Sequence, residues 1–153
     1  RKVGIPIYFI RLAFDTKYSN LPKHSKMFNR IKEGKRFQLG HNDVGFVKTL
    51  NFNNNDIIIN KTGSSPFVGN DLQEQLEGLS IEHLIFTGVA TDNAISSGVR
   101  YAHDLGFYTS IVEDACGAHN EALHNSAISL LAKVANVILS TENCLENLHG
   151  YPL

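Results

Sequence analysis

The sequence predicts an α/β fold: a doubly wound, mostly parallel sheet with helices on both faces, three layers in all. Two observations carry this. Five short apolar runs, rich in β-branched and aromatic residues, recur along the chain. They are apolar on both sides rather than alternating, as strands covered on both faces must be. Between them lie stretches with apolar residues at helical spacing and capping residues at their starts. At 153 residues and 42% apolar content, residues 1–153 form one domain long enough to bury a core.

The elements follow in order. "IPIYFI" (Ile5–Ile10) is the first strand. Arg1 to Gly4, just before it, reads as the tail of a helix turning into that strand, so an upstream helix is expected. From Asp15 to Asn55 the chain is polar, Asn-rich and poor in periodicity, an excursion of the kind used as a lid or an oligomer contact. Its basic cluster (Lys23, Lys26, Arg30, Lys32, Lys35, Arg36) is read as solvated surface. "DIIIN" (Asp56–Asn60) is the second strand. A helix starts near Asn70, which with Gln73 resembles a capping box; Leu72, Leu76 and Leu79 supply one face, and Gly78 lies near its end. "HLIFTGV" (His83–Val89) is the third strand, and Thr91 or Asp92 caps the helix after it, which Gly106 ends. "FYTSIVE" (Phe107–Glu113) is the fourth. A helix from about Asn120 to Lys133 places Leu123, Ala127, Leu130, Leu131 and Val134 at helical spacing. "NVILS" (Asn136–Ser140) is the fifth strand, followed by a helix from Glu142 to Leu148.

Bulk properties exclude some functions. A formal charge of −1 gives no attraction to nucleic acid or to an anionic membrane. No apolar run approaches the roughly 18 residues of a membrane span, and the start is not signal-like. Cys116 and Cys144 have neither metal spacing nor a disulfide framework, which reads as reduced thiols in a cytoplasmic chain.

In an open parallel sheet, ligands bind beyond the carboxyl ends of the strands. The residues found there are Arg11 and Asp15, then Lys61, Ser64 and Ser65, then Ala90 to Ala94, then Asp114 and Cys116. Lys61 leaves an apolar strand for the crevice, where partial burial depresses an amine pKa or lets it stabilise a developing anion. The alternative is a lysine snorkelling from a strand end. The turn from Gly88 to Ala94 aims free backbone N–H groups at the crevice, an anion or oxyanion site made by backbone geometry. Small residues at Ala90 and Ala94 let a substrate approach that backbone. The residues thus supply a cation and a donor nest but no evident nucleophile. Cys116 has no activating base beside it and reads as a buried small residue.

"IIINKTGSSPFVGNDLQEQL" and "HLIFTGVATDNAISSGVRYAHDLGFYTSIVEDACGAHNEALH" closely resemble the isochorismatase-like hydrolase superfamily, also called the cysteine hydrolases, which includes nicotinamidases. The similarity runs from "GIPIYFIR" to "VILSTENCL". It is specific in the K-x-x-x-S-x-F-x-G-x-x-L stretch, Lys61 to Leu72, and in the G-V-A-T turn. It implies a Rossmann-like sheet of about six strands and a site built from Asp, Lys and Cys. The Lys falls on Lys61 and the Cys on Ala94. The Asp belongs at the end of the family's first, central strand, which is expected before Arg1. The chain therefore resembles a branch that lacks the nucleophilic Cys and is missing its N-terminal strand and helix. Ile5–Ile10 and His83–Val89 are then expected to flank a slot of one strand width rather than to pair with each other.

The resemblance further implies oxyanion donors at the N–H groups of Ala94 and Ala90, beside Thr91, and a non-proline cis peptide at Val89–Ala90. Arg11 either holds a substrate carboxylate or serves structurally. The nicotinamidase metal motif is absent, the residues there being Arg11, Leu12, Ala13, Phe14 and Asp15, so neither metal nor cofactor is expected. The neighbours "NAI" and "SSG" resemble Cys-less members and favour Ala94 as the native residue over an engineered Cys→Ala knockout of an amidase or nicotinamidase type. Without a thiol the covalent route is closed. The implied activity is hydrolysis of a small, anionic molecule, with an upstream Asp as general acid, Lys61 and the nest stabilising charge, and water completing hydrolysis of a vinyl ether. The other reading is a non-catalytic small-molecule-binding or scaffold protein of the same fold. A homo-oligomer, dimer or tetramer, is expected.

Overall fold

The computed structural model describes residues 4–53 and 56–148. The helix tail expected at Arg1 to Gly4 falls, but for Gly4, outside the described residues. Five strands form: β1 (Tyr8–Leu12), β2 (Ile57–Lys61), β3 (His83–Val89), β4 (Tyr108–Gly117) and β5 (Val137–Leu139). All pairings are parallel. The first strand begins three residues later than the apolar run because Gly4 sits at φ +80° and Pro6 has no N–H to donate to a ladder.

The sheet is in two parts, β1–β2 and β3–β4–β5. Among the described residues β1 does not pair with β3, so the sheet has not closed across the expected slot. The burial agrees. Every residue of β1 is half-buried, and β3 is half-buried to exposed, whereas Thr109 to Val112 of β4, which has a neighbour on each side, are buried. One apolar layer spans both parts. Ile59, Phe67, Leu72, Leu76, Ala102 and Phe107 are its buried residues; Tyr8 and Ile10 of β1 and Leu84 and Phe86 of β3 pack against it.

The helices are α1 (Lys26–Glu33), α2 (Leu72–Gly78), α3 (Ser96–Asp104), α4 (Glu121–Leu131) and α5 (Thr141–Asn147). Val99 of α3, Ile128 and Leu131 of α4 and Ile111 of β4 make a second core. α5 packs against β4 and β5, and strand alternation turns Ser110 and Val112 to the face opposite Ile111. No helix among the described residues is long and apolar enough to cross a membrane.

Three local expectations are corrected. The polar excursion holds a helix, α1, which Ser25 caps by accepting from the Phe28 N–H. Its Phe28 joins Phe14, Tyr18 and Leu21 in a small core of its own, while the six basic residues are exposed. The capping box at Asn70 is not made: Gln73 Nε2 donates to Glu77 instead (2.8 Å), and Asn70 Oδ1 accepts from the Leu72 N–H (3.0 Å). Neither Thr91 nor Asp92 caps the third helix. A single π-helical turn, Thr91–Ile95, precedes α3, and Ala90 is its N-cap.

Candidate functional site

Lys61 is the last residue of β2, and the loop after it closes tightly on itself. The Thr62 N–H donates to the Val68 carbonyl (3.0 Å). Asn70 Nδ2 reaches the carbonyls of Pro66 (2.9 Å), Val68 (3.3 Å) and Asn60 (3.4 Å), tying the loop back to the strand. Gly69 is required here: it sits at φ +77°, and a side chain would begin 2.1 Å from the Thr62 hydroxyl. The result is a compact knot in which Lys61, Thr62, Ser65 and Phe67 are buried.

Lys61 is 8% exposed, and its Nζ donates to the Ser64 carbonyl. Burial pushes its pKa down from 10.5 to about 8; among the described residues no acidic side chain contributes to the shift. Removing an ammonium from water disfavours its charge, and one carbonyl does not restore what hydration supplied. At a pKa of about 8 the amine is roughly nine-tenths protonated at pH 7, yet far readier to give up its proton than a surface lysine.

The turn lies at the end of β3. The β3–β4 register slips between Phe86 and Gly88, Gly88 adopts φ +116°, and the Val89–Ala90 peptide is cis. The Ala90 carbonyl accepts from the N–H groups of both Asn93 and Ile95 (3.1 Å each), which closes the wide π-helical turn. No backbone acceptor among the described residues takes the N–H of Ala90. Ala94 is one helical turn before Gly98, so the two lie on one side of the helix. Gly98 faces the lysine loop so closely that a side chain would begin 2.8 Å from Pro66 Cδ and Cγ. Glycine here sets the loop carrying Lys61 directly against the helix that carries Ala94.

Sequence reasoning did not find His124. Thr91, fully buried, shares a hydrogen bond of 2.9 Å with His124 Nδ1 of α4, so the turn is braced from a third element. No spacing signals this, because the partner lies 33 residues away. Met27 of α1 was missed as well; Asn93 Nδ2 contacts its Sδ at 3.9 Å, which brings the excursion to the turn.

Arg11 stands elsewhere. Alternation along β1 and β2 puts Tyr8, Ile10, Ile57, Ile59 and Lys61 on one face, and Phe9, Arg11, Ile58 and Asn60 on the other. Arg11 Nε donates to Asn60 Oδ1 (2.7 Å) and Nη1 to the Val44 carbonyl (3.2 Å). Cys116 pairs in register with Gly88, and burial pushes its thiol up to about 11, with Asp114 and Glu113 adding to the shift. Burial there disfavours the thiolate, the form that acts as a nucleophile. Among the described residues no group of three His, Cys, Asp or Glu side chains is placed to hold a metal. The arrangement provides a buried, acidified ammonium in a loop whose Pro66 packs against Gly98, one helical turn after Ala94. That can stabilise or protonate a developing anion, with no sulfur at the Ala94 position.

Known proteins share this frame. The chain is 28% identical over 145 residues to the uncharacterized isochorismatase family protein YecD of Escherichia coli O157:H7, covering 90% of this chain and 71% of that one. It is 29% identical over 127 residues to the ureidoacrylate amidohydrolase RutB of Pantoea ananatis, covering 75% of this chain and 51% of that one, so it spans about half that relative's length. In fold it is similar to a cysteine hydrolase from Pseudomonas syringae pv. phaseolicola 1448A, with a TM-score of 0.87 over 99% of this chain and 76% of that one, at 15% identity. The isochorismatase domain model matches residues 1–143. With its parallel strands, its lysine knot and its G-V-A-T turn in that frame, the chain belongs to the isochorismatase family.

Proposed function

We propose that this protein hydrolyses a small, anionic molecule of the vinyl ether type without a covalent intermediate. The observation that carries the reading is Lys61: a buried ammonium with its pKa lowered to about 8, in a knot packed against the helix whose nucleophile position is Ala94. Hydrolysis of a vinyl ether puts a proton on the terminal carbon and a water oxygen on its neighbour, after which the hemiketal breaks to a ketone and an alcohol. An ammonium and backbone N–H donors serve the charge that develops in those steps, and no step needs a thiol. The ureidoacrylate amidohydrolase among the relatives shows that amide substrates occur on related chains; Ala94 argues against that chemistry here.

The test is turnover of isochorismate. Hydrolysis is expected, unaffected by iodoacetamide, falling as pH rises through about 8 with loss of the Lys61 charge, and lost in Lys61→Met. Inactivation by iodoacetamide traced to Cys116, or full activity in Lys61→Met, sinks the proposal. A second reading, binding without chemistry, has one observation in its favour: among the described residues no carboxylate contributes to the Lys61 shift. Saturable isochorismate binding without turnover would select it.

A further inference from the structure

The face of the β1–β2 pair opposite Lys61 carries a cavity of about 480 Å³ between the strands and residues 45–52, within the range of about 300–1,000 Å³ of small-molecule sites. Its lining combines two chemistries. Ile58, Phe46 and Phe52 are apolar. The two rings cluster with Phe9, all three centroids lying 5.2–5.4 Å apart. Arg11 and Lys48 supply two positive charges.

Among the described residues those charges have no counter-ion. The ion pair found among the described residues joins Arg36 to Asp43, and no carboxylate pairs with Arg11 or Lys48. Arg11 is half-buried and uses two donors, on Asn60 and the Val44 carbonyl, of the five a guanidinium carries. Its Cζ stands 5.6 Å from the Phe46 ring centroid, a cation–π arrangement that leaves the charge unneutralised. A partly desolvated cation beside half-buried aromatic rings favours a ligand that is flat and carries one negative charge.

We propose that this cavity is a binding site for a planar aromatic carboxylate, its ring against Phe46 and Phe52 and its carboxylate on Lys48 and the remaining donors of Arg11. Alternation of the strands separates it from Lys61, so it is a site of its own and does not rest on the catalytic reading.

The probe is benzoate, followed by backbone amide NMR shifts of the full chain. Benzoate is expected to shift residues 45–52 saturably, with a Kd on the order of 1 mM. Cyclohexanecarboxylate, which lacks the aromatic face, and benzyl alcohol, which lacks the charge, should each bind several-fold more weakly. Lys48 is exposed, so Lys48→Glu leaves the fold intact and should weaken benzoate about tenfold. The proposal is overturned by shifts that do not saturate, by shifts confined to Ala90–Ala94, by equal affinity for benzyl alcohol, or by unchanged affinity in Lys48→Glu.

Discussion

The two halves of the sheet share a strand direction and an apolar layer, yet they are built to different standards. In the β3–β4–β5 half, Thr109, Ser110 and Ile111 of β4 are wholly buried, with α3 and α4 against one face and α5 against β4 and β5. In the β1–β2 half, no residue of β1 is fully buried, and the excursion with α1 supplies a separate small core beside it. The difference separates the tightly packed core from the half that carries the candidate lysine. The tightly covered half supplies the buried strand β4 and the G-V-A-T turn. The loosely covered half supplies Lys61, held in a locally unfavourable charge state by its own knot, and the positively charged cavity on its reverse face.

The largest expected effect tests the covered half. Ile111→Ala should cost about 2–5 kcal/mol in urea unfolding, as a buried isoleucine does, while Ile10→Ala on half-buried β1 should cost on the order of 1 kcal/mol. Equal losses would erase the contrast between the halves. Next comes Lys61. Its folded pKa of about 8 lies below the unfolded 10.5, so between those values the unfolded chain binds more protons and stability rises with pH. Below about pH 8 the full penalty is present, and Lys61→Met should therefore stabilise the protein at pH 7 by up to about 3 kcal/mol. That gain should fade as pH climbs towards 10.5; a gain that ignores pH would show an amine already in water. The smallest effect probes the joint between the halves. At Gly98 a side chain would begin 2.8 Å from Pro66 of the lysine knot and 3.0 Å from Phe86 of β3. Gly98→Val should cost about 1–3 kcal/mol by overpacking and shift the Lys61 resonances; undisturbed resonances would mean that the knot does not bear on α3.

Much of this was legible in the chain, for identifiable reasons. Strands covered on both faces write continuous apolar runs, so all five were found, and β3 with its bounds intact. The turn was legible at Gly88, where a strand feeding a helix calls for glycine, and Lys61 as the charged residue leaving an apolar strand. Gly69 and the Val89–Ala90 cis bond came with the family resemblance, and the hydrogen bonds that knot the loop were not foreseen. Helix α1 was not, since one buried anchor, Phe28, makes no periodicity. The Thr91–His124 bond and the Asn93–Met27 contact join residues 33 and 66 positions apart, and nothing local encodes them. Arg11, expected just past the first strand, lies inside β1 because the strand starts and ends later than the apolar run, and the parity of two paired strands, a register that only the fold sets, turns it to the face opposite Lys61.

Ala94 also decides how the protein meets oxidants. A thiol at that position would climb from sulfenic acid to irreversible forms, and low-pKa thiolates climb fastest. Here the turn offers a methyl group, and the chain's two thiols are held protonated by burial, with nearby acidic side chains reinforcing the effect. A sulfur that touches the turn at Asn93 is the thioether of Met27, the chain's single methionine. Peroxide acting there yields a sulfoxide, whose oxygen is a far stronger acceptor for the Asn93 amide than sulfur, and which sulfoxide reductases reverse.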